Sequence, residues 1–372
     1  MALPGLLSSG SLVDRLLAAK ISNPFRRQTD FLVLDIGSSS VKLAEVHHGA
    51  GAPRVRALGI GPLPPTVIQS NVIQEPEPVV EAIRKLTAAN RTRATQVITA
   101  VPGPAVIVKK VVLDAQAATA VEGAVLAEAG HLIPDSLENV NLDYQVVDWL
   151  EDGQKMEVLV VAVKKEIINS YTDTIRVAGL EPVLVDVDYF ALENMFESNY
   201  DTSDEHPVAL VNVGARYSSI NIIKGGRSTF TGDVPVGGVE YTDALARQLS
   251  VSPEQANTLA RGRQVAGLDA TVVGPILGSV TEFLVEEIQR ALSFFWTAAT
   301  DEPLGGVVLS GGPARVPSMA TQLTQRLGCG VQVADPFRRL HVDRAADRAL
   351  IEESGPSLAV VAGLVTRQPG DK

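Results

Sequence analysis

The segment FLVLDIGSSSVKLAEVHHGA, residues 31–50, contains two apolar stretches that are separated by one glycine and three serines. Residues 31–36 and 41–47 are rich in valine, leucine and isoleucine, which is the composition of buried strands. Gly37 and the serines after it are turn residues, so the pattern predicts a β-hairpin. A turn of this composition can bind an anion through its backbone N–H groups and hydroxyls. An ordinary hairpin with a polar turn has the same sequence pattern.

A second segment, VALVNVGARYSSINIIKGGR at residues 208–227, repeats this pattern at a constant offset of 177 residues and without gaps. Gly214 matches Gly37, and Asn212 matches Asp35 at the end of the preceding strand. Polar residues and glycines at the ends of equivalent strands predict a duplicated lobe with two turns that face each other. Two unrelated hairpins are the alternative interpretation.

Two facing turns of this kind predict a nucleotide site. Gly37 lets the backbone approach a phosphate closely because it has no Cβ atom. Lys42 would contact a phosphate oxygen, and Asp35 would orient the water molecules of a bound Mg²⁺ ion. The residues that would offer backbone N–H groups and hydroxyls are Ser38, Ser39 and Ser40.

Two further pairs of glycines follow in the second half of the chain. Gly237 and Gly238 close the second hairpin region, and Gly311 and Gly312 lie between an apolar strand and a helix near residues 318–327. A strand, then glycines, then a helix presents backbone N–H groups to a ligand. Glycine-bearing turns in both halves of the chain distinguish this layout from a Rossmann unit, and none of them has the spacing of a Walker loop.

Composition restricts the class of protein. The chain has 372 residues, 45% of them hydrophobic and 20% charged, which is enough for a sizeable core and roughly two domains. The net charge of −11 argues against a nucleic-acid partner. A single cysteine excludes an internal disulfide and fits a cytosolic protein. Its longest apolar runs fall far short of the ~20 residues of a membrane span.

The pattern of strands and helices predicts several structural units. The opening strands at 31–36, 41–47 and 54–61 lead into a helix at 77–89. The predicted boundaries are 1–30 for an extension with a short amphipathic helix, 31–103 and 183–204 for the first lobe, 104–182 for an inserted α+β subdomain, 205–241 and 280–368 for the second lobe, and 242–279 for a smaller subdomain of the second lobe.

The ordered set of motifs resembles the actin-like ATPase superfamily, and within it the PilM family of type IV pilus assembly proteins, which is related to the division protein FtsA. The turns after Asp35, Asn212 and Ser310 are similar to the first phosphate, second phosphate and adenosine motifs of the superfamily. Segments similar to PilM extend from residue 31 to about residue 367 and include VPGPAVIVKKVVL (101–113), VLVVAVKKEIINSY (158–171), GLEPVLVDVDYFAL (179–192) and EEIQRALSFF (286–295).

This resemblance implies an α/β, actin-like (ribonuclease H-like) fold with two lobes, a duplicated core and an inserted α+β subdomain. It implies ATP or ADP with Mg²⁺ between the lobes, with the metal held by Asp35 through water. The residues expected to bind the nucleotide are Asp35, Gly37, Ser38, Ser39, Ser40, Lys42, Asn212, Gly214, Ala215, Gly237, Gly238, Arg261, Gly311 and Gly312.

The resemblance also implies a protein partner. Members of the family bind the N-terminal cytoplasmic peptide of the inner-membrane protein PilN in a groove between the first lobe and the inserted subdomain. The chain is therefore expected to be a cytoplasmic adaptor that lies at the inner membrane through a PilN-like partner. Contacts with other pilus assembly components and self-association are further expectations, and no nucleic acid is expected.

Several residues depart from the family pattern. Asn212 stands where the family has aspartate, and an amide cannot accept a proton as a carboxylate does. The helix at 252–262 lacks the charged residues that contact the nucleoside in the family, which leaves Arg261 as a substitute. Pro313 replaces a third glycine and removes an N–H group. These differences predict nucleotide binding with little or no hydrolysis.

Two alternatives remain. A filament-forming, membrane-associated cytoskeletal protein similar to FtsA would share the subdomain layout. A small-molecule kinase of the same superfamily would need a catalytic carboxylate that the sequence does not identify. Phe294, Phe295 and Trp296 are predicted to pack in the core and at the interface between the lobes.

Overall fold

A computed structural model of the protein describes residues 29–49, 51–114, 121–201, 206–298, 302–316 and 318–371. The amphipathic helix predicted for the extension lies outside these residues. Two larger sheets, one in each lobe, and a three-stranded sheet organise the described chain. None of its described helices is both long enough and apolar enough to span a membrane.

A six-stranded sheet forms the first lobe. Its order is β10 (Glu181–Val187), β6 (Gln96–Val101), β1 (Thr29–Ile36), β2 (Ser40–His48), β3 (Arg54–Pro62) and β16 (His341–Val342). β2 is antiparallel to β1 and β3, whereas β6 runs parallel to β1 and to β10. A short hairpin of β4 (Ile68–Gln69) and β5 (Val72–Ile73) follows β3. The three predicted opening strands are confirmed.

Helices cover both faces of this sheet. Leu32 and Leu34 of β1 pack with α1 (Pro76–Asn90) and α3 (Lys165–Val177). Phe31 and Val33 point to the other face, where α4 (Asp188–Asn199) and α10 (Ala359–Leu364) lie. Successive side chains of a strand alternate between faces, so a strand with helices on both sides is apolar at nearly every position. This explains the continuous apolar run that begins at residue 31.

The second lobe repeats the first. Its five-stranded sheet has the order β15 (Val331–Val333), β14 (Gly306–Ser310), β11 (Val208–Val213), β12 (Ser218–Lys224) and β13 (Arg227–Val234). This order corresponds, strand for strand, to β10, β6, β1, β2 and β3. β14 is parallel to β11, just as β6 is parallel to β1. The duplicated core predicted from the repeated sequence is confirmed.

The inserted subdomain is a separate antiparallel sheet in the order β7 (Val106–Asp114), β9 (Lys155–Lys164) and β8 (Val140–Leu150), with α2 (Val121–Leu132) against it. Met156, Val158 and Val160 alternate along β9 and pack against Val125 of α2. The turn from β8 to β9 has φ angles of 52° at Glu151 and 87° at Gly153. Glu151–Gly153 thus form the hairpin turn between these two strands.

Helices complete the second lobe. α5 (Val239–Leu249) and α6 (Pro253–Ala260) pack with the first half of α7 (Ala270–Ala298), and the second half of α7 lies on the second-lobe sheet near α8 (Met319–Leu327). Ser252 and Gln255 form a capping box that begins α6. Pro275 lies within the first two turns of α7.

The prediction that Phe294 packs in the core and at the interface between the lobes is wrong. Its side chain is 66% exposed, whereas Ile288 and Leu292 of the same helix are fully buried against the sheet. A residue two positions after Leu292 is rotated about 200° around the helix, and therefore faces the opposite side. The side chains of Phe295 and Trp296 lie outside the described part of the chain.

Two crossing helices, α4 and α10, join the lobes. Leu210 and Val308 of the second sheet belong to the same buried cluster as these helices. The helices approach so closely that a Cβ atom at Gly363 would lie 1.7 Å from the carbonyl oxygen of Ala191. Just before α10, the chain passes through α9 (Ala345–Ser354) and a helical turn at Gly355–Leu358.

Candidate functional site

The first turn joins β1 to β2 and presents a charged pair. Asp35 and Lys42 are opposite each other in the strand register, and Lys42 Nζ lies 2.6 Å from Asp35 Oδ2. The Gly37 N–H donates to the carbonyl oxygen of Ser40 at 3.0 Å and closes the turn. Both charged side chains are mostly buried, with 16% and 15% of their area exposed. The turn thus has a carboxylate and an ammonium group in a defined position.

The second turn repeats this geometry. The Gly214 N–H donates to the carbonyl oxygen of Tyr217 at 2.9 Å, and these residues are the counterparts of Gly37 and Ser40. The carbonyl oxygen of Gly214 accepts from the N–H of Gly238 at 2.9 Å. A Cβ atom at Gly237 would lie 2.6 Å from that same oxygen, so only glycine fits. Gly214, Ala215, Gly237 and Gly238 therefore form one cluster at the start of α5.

The third turn packs directly on the second. Gly311 has a φ of 91°, and a Cβ atom there would lie 2.0 Å from the carbonyl oxygen of Val213. Gly312 has open space around its Cα atom. Asn212 is opposite Ser310 in the strand register, and the Ser310 hydroxyl donates to Asn212 Oδ1 at 3.2 Å. Asn212 Oδ1 therefore already accepts a hydrogen bond from within the protein.

Arg261 lies away from these turns, at the end of α6. Its Nε donates to Asn257 Oδ1 at 3.0 Å, and among the described contacts none joins it to the glycine turns. The neighbouring Arg263 forms an ion pair with Glu353 of α9. The turn after α9 then approaches the third turn, because Pro356 accepts a hydrogen bond from the N–H of Gly311 at 2.8 Å.

A buried carboxyl group that is not among the predicted site residues joins the two lobes. Asp188 is the first residue of α4, and its Oδ1 accepts from the N–H of Gly103 at 2.8 Å. Its Oδ2 accepts from the hydroxyl of Tyr217, on the second turn, at 2.9 Å. The signal in the sequence was a polar residue directly after the apolar strand at 182–187. Asp188 thus holds a backbone group of one lobe and a side chain of the other.

Burial determines the protonation of this region. Desolvation raises the pKa of Asp188 to about 8, and the nearby carboxylates of Asp233 and Asp35 act in the same direction. The hydrogen bond from Tyr217 opposes the shift. Burial likewise raises the pKa of Asp233 to about 6, against the lowering effect of a hydrogen bond with Tyr189. Asp188 therefore keeps its proton near neutral pH, whereas Asp233 keeps its proton only in mildly acidic solution.

A separate cavity of about 450 Å³ lies between the first lobe and the inserted subdomain. The β4–β5 hairpin forms one wall, and the start of β7 with the adjoining ends of β8 and β9 forms the other. Its apolar lining includes Val72, Ile107 and Ala162, and its polar lining includes Asn71, Gln74 and Lys164. The structure thus has a cavity between the two units where the resemblance to the PilM family implies a peptide groove.

The predicted magnesium site would use one protein carboxylate, that of Asp35. No group of three or more histidine, cysteine, aspartate or glutamate side chains that could hold a metal occurs among the described residues. Mg²⁺ commonly needs only one or two protein carboxylates, because phosphate oxygens and water complete its coordination. Asp35, at the edge of the first turn, is the residue that would orient that water. Asn212, in the equivalent position of the second turn, has no charge to offer.

Comparison with known proteins is consistent with this geometry. A family model described as "Type IV pilus assembly protein PilM" matches residues 33–369. A solved structure described as a PilM-PilN type IV pilus biogenesis complex is 26% identical, with a TM-score of 0.77, and the match covers 91% of this chain and 98% of that chain. The ethanolamine utilization protein EutJ from Carboxydothermus hydrogenoformans is 16% identical, with a TM-score of 0.55 over 90% of this chain and 88% of that chain.

The match to the family model extends through both lobes and the inserted subdomain, which is almost the whole described chain. The duplicated sheets, with the inserted subdomain between two segments of the first lobe, are the actin-like fold that the motifs predicted. The chain therefore belongs to the PilM family of type IV pilus assembly proteins.

Proposed function

We propose that the protein is an adaptor of a type IV pilus assembly complex and that it binds the N-terminal cytoplasmic peptide of a PilN-like inner-membrane protein. The observation that carries this proposal is the cavity between the β4–β5 hairpin and the inserted subdomain. The similar solved structure is described as a complex of PilM with PilN. Binding of such a peptide would hold this chain at the inner membrane.

The lining of the cavity suits an extended peptide. Val72, Ile107 and Ala162 offer apolar contacts for anchoring side chains, and the polar residues around them offer hydrogen bonds for the peptide backbone. β7 pairs with β9 on one side only within the described chain, so its other edge is available to a further strand. The hairpin wall is fixed in place, because the Ile73 N–H donates to the Ser170 hydroxyl of α3 at 3.3 Å.

The nucleotide has a supporting role in this proposal. ATP or ADP with Mg²⁺ would lie between the first and second turns, with Lys42 on a phosphate and Asp35 toward the metal water. Bound nucleotide would hold the lobes in a defined arrangement and thereby set the shape of the first lobe for the partner. Little hydrolysis is expected, since Asn212 cannot act as a base and its Oδ1 accepts from Ser310.

The test is a titration of the full chain with a fluorescently labelled peptide from the N-terminus of a PilN-like membrane protein. Gln74→Trp would place an indole in the cavity and is expected to weaken binding at least tenfold. Gln69→Trp is the matched control, because Gln69 is an exposed glutamine of the same hairpin that does not line the cavity. Equal affinity of both variants, or no binding by the unsubstituted chain, would overturn the proposal.

A further inference from the structure

Arg216 extends from the second turn to the first lobe. It lies between Ala215 and Tyr217, is exposed, and its Nη2 donates to the backbone carbonyl oxygen of Pro65. This bond uses one of the five N–H groups of the guanidinium group. Within residues 212–217, NVGARY, Arg216 is the only positively charged residue. The second turn therefore presents one positive charge toward the first lobe.

Pro65 belongs to a short segment, residues 63–67, that joins β3 to the β4–β5 hairpin and is called the hairpin connector below. Its first residue is held on the first turn, because the N–H of Leu63 donates to the carbonyl oxygen of Ser39 at 2.9 Å. Pro64 and Pro65 follow directly, and the ring of each proline restricts its φ angle. The hairpin connector is therefore a stiff piece of chain that both turns contact.

The other end of the hairpin connector closes the hairpin that lines the peptide cavity. Val67 is fully buried, and its carbonyl oxygen accepts hydrogen bonds from the N–H groups of Gln74 at 2.9 Å and Glu75 at 3.3 Å. Asn71 and Gln74 of this region line the cavity. Pro65 lies two residues before Val67, so a shift of the hairpin connector at Pro65 would move the wall of the cavity.

A phosphate group would compete with the carbonyl oxygen of Pro65 for Arg216. The carbonyl oxygen is a neutral acceptor, whereas a phosphate oxygen is charged, and charge-assisted hydrogen bonds are roughly twice as strong as neutral ones. The planar guanidinium group can also donate two parallel N–H groups to a phosphate. Tyr217 donates to the buried Asp188 and so fixes the second turn on the first lobe, while the exposed guanidinium group of Arg216 can exchange its partner.

Arg216 also gives the second turn a group that binds phosphate without a metal ion. Asn212 has no charge, and the N–H of Gly214 donates to the carbonyl oxygen of Tyr217 at 2.9 Å. The guanidinium group would therefore supply the positive charge of the second turn, and Lys42 would supply that of the first turn. One cation from each lobe is thus available to a polyphosphate.

We propose that Arg216 is a phosphate-binding residue of the cleft and that it couples a bound nucleotide to the peptide cavity. In one state Arg216 holds the hairpin connector through Pro65, as in the structure. In the other state its guanidinium group contacts a phosphate oxygen of ATP, and the hairpin connector is released. The contact with Pro65 accompanies the formed cavity, so its loss is expected to weaken peptide binding. This inference rests on the nucleotide and peptide sites of the proposed function.

Hydrogen–deuterium exchange of the full chain, with and without saturating ATP and Mg²⁺, tests this inference. In the unsubstituted chain, ATP is expected to speed the exchange of the amides at residues 66–75 by roughly threefold or more. In Arg216→Ala these amides should exchange at the faster rate under both conditions. Arg326→Ala is the matched control, because Arg326 is an exposed arginine of the same lobe at the end of α8, and this variant should behave as the unsubstituted chain.

Binding measurements provide an independent test. Arg216→Ala is expected to weaken ATP binding in calorimetry by roughly tenfold, through the loss of a charge-assisted hydrogen bond, whereas Arg326→Ala should not. In the titration with labelled peptide, saturating ATP should weaken binding by the unsubstituted chain by about fivefold. The weaker peptide binding of Arg216→Ala should be the same with and without ATP.

Equal exchange at residues 66–75 in Arg216→Ala and Arg326→Ala, or equal affinities of these two variants for ATP, would overturn the inference. An effect of ATP on peptide binding that Arg216→Ala retains would also overturn it. A chain that binds no labelled peptide would overturn the proposed adaptor function instead, and hydrogen exchange and calorimetry would still decide the role of Arg216.

Discussion

Asp188 in the first lobe and Tyr217 in the second lobe form a hydrogen bond of 2.9 Å, donated by the tyrosine hydroxyl. The other carboxylate oxygen of Asp188 accepts from the backbone N–H of Gly103 at 2.8 Å. One buried carboxyl group thus joins the segment after β6 to the turn between β11 and β12. The position of the second turn relative to the first lobe depends on this group.

Replacement of Asp188 by asparagine should change how stability depends on pH. The pKa of Asp188 is raised from 3.8 to about 8, so between these values the folded protein holds a proton that the unfolded chain releases. The free energy of unfolding therefore falls as the pH rises, by at most about 1.4 kcal/mol per pH unit from this group. Asp188→Asn removes the titration but keeps an oxygen for the Gly103 N–H.

The measurement is urea denaturation at pH 5, 6.5 and 8. The decline in stability toward pH 8 should be smaller in Asp188→Asn than in the unsubstituted chain. Asp143→Asn, at an exposed position of β8, serves as the control and should keep the original slope. The same slope in all three proteins would show that Asp188 does not titrate in this range.

Removal of the Tyr217 hydroxyl should make the free energy of unfolding depend more strongly on pH, whereas Asp188→Asn should make it depend less. Tyr217→Phe takes away a hydrogen bond that lowers the pKa of Asp188, so the carboxyl group should hold its proton to still higher pH. A charged and buried Asp188 would then have one donor fewer, at a cost of roughly 1–3 kcal/mol. The loss in the free energy of unfolding should be larger at pH 8 than at pH 5. Tyr144→Phe in the inserted subdomain is the matched control, and an equal loss at both pH values would contradict the account.

The duplicated core could be predicted from the sequence because it is a local pattern that occurs twice. The strands around Gly37 and Gly214 each combine an apolar run with a glycine turn, and the structure closes both turns with the same hydrogen bond. The Asp188–Tyr217 contact could not be predicted in this way. It joins residues from different lobes, so it depends on how the lobes pack and not on the pattern of either segment.

The error at Phe294 has a different origin. Three consecutive aromatic residues suggested packing in the core and at the lobe interface, but helical periodicity places Phe294 opposite Ile288 and Leu292. Arg261 is predicted to contact the nucleotide. In the structure its Nε donates to Asn257 at the end of the same helix, so that contact would require the Arg261 side chain to change its position. Motif position alone does not show where a long side chain points.

Lys42 should contribute directly to nucleotide affinity. Its ammonium group lies in the first turn beside Asp35, where it would meet a phosphate oxygen. Lys42→Gln is expected to weaken ATP binding about tenfold or more, which corresponds to the energy of a charge-assisted hydrogen bond. Lys85→Gln on the exposed face of α1 is the control, because Lys85 also pairs with a carboxylate, Glu81. Equal affinities of the two variants in calorimetry would place the nucleotide elsewhere.

Replacement of Asn212 by aspartate should restore a charge to the second turn. A carboxylate at this position could hold a water of the metal ion and still accept from the Ser310 hydroxyl. ATP binding by Asn212→Asp is therefore expected to depend more strongly on Mg²⁺ than binding by the unsubstituted chain, and phosphate release should increase. Asn141→Asp, exposed on β8, controls for the added charge. An unchanged Mg²⁺ dependence would show that Asn212 does not face the metal.

The crossing of α4 and α10 should tolerate no side chain at Gly363. A Cβ atom there would lie 1.7 Å from the carbonyl oxygen of Ala191, and the neighbouring atoms are backbone that cannot rotate away. Gly363→Ala is expected to lower the free energy of unfolding by about 3 kcal/mol or more. Gly278→Ala in α7, where nothing lies within 4 Å of the added atom, should instead stabilise the protein by up to about 1 kcal/mol. Equal unfolding midpoints of these two variants in denaturant titrations would mean that the helices do not cross as closely as the structure shows, and that the lobes are joined in another way.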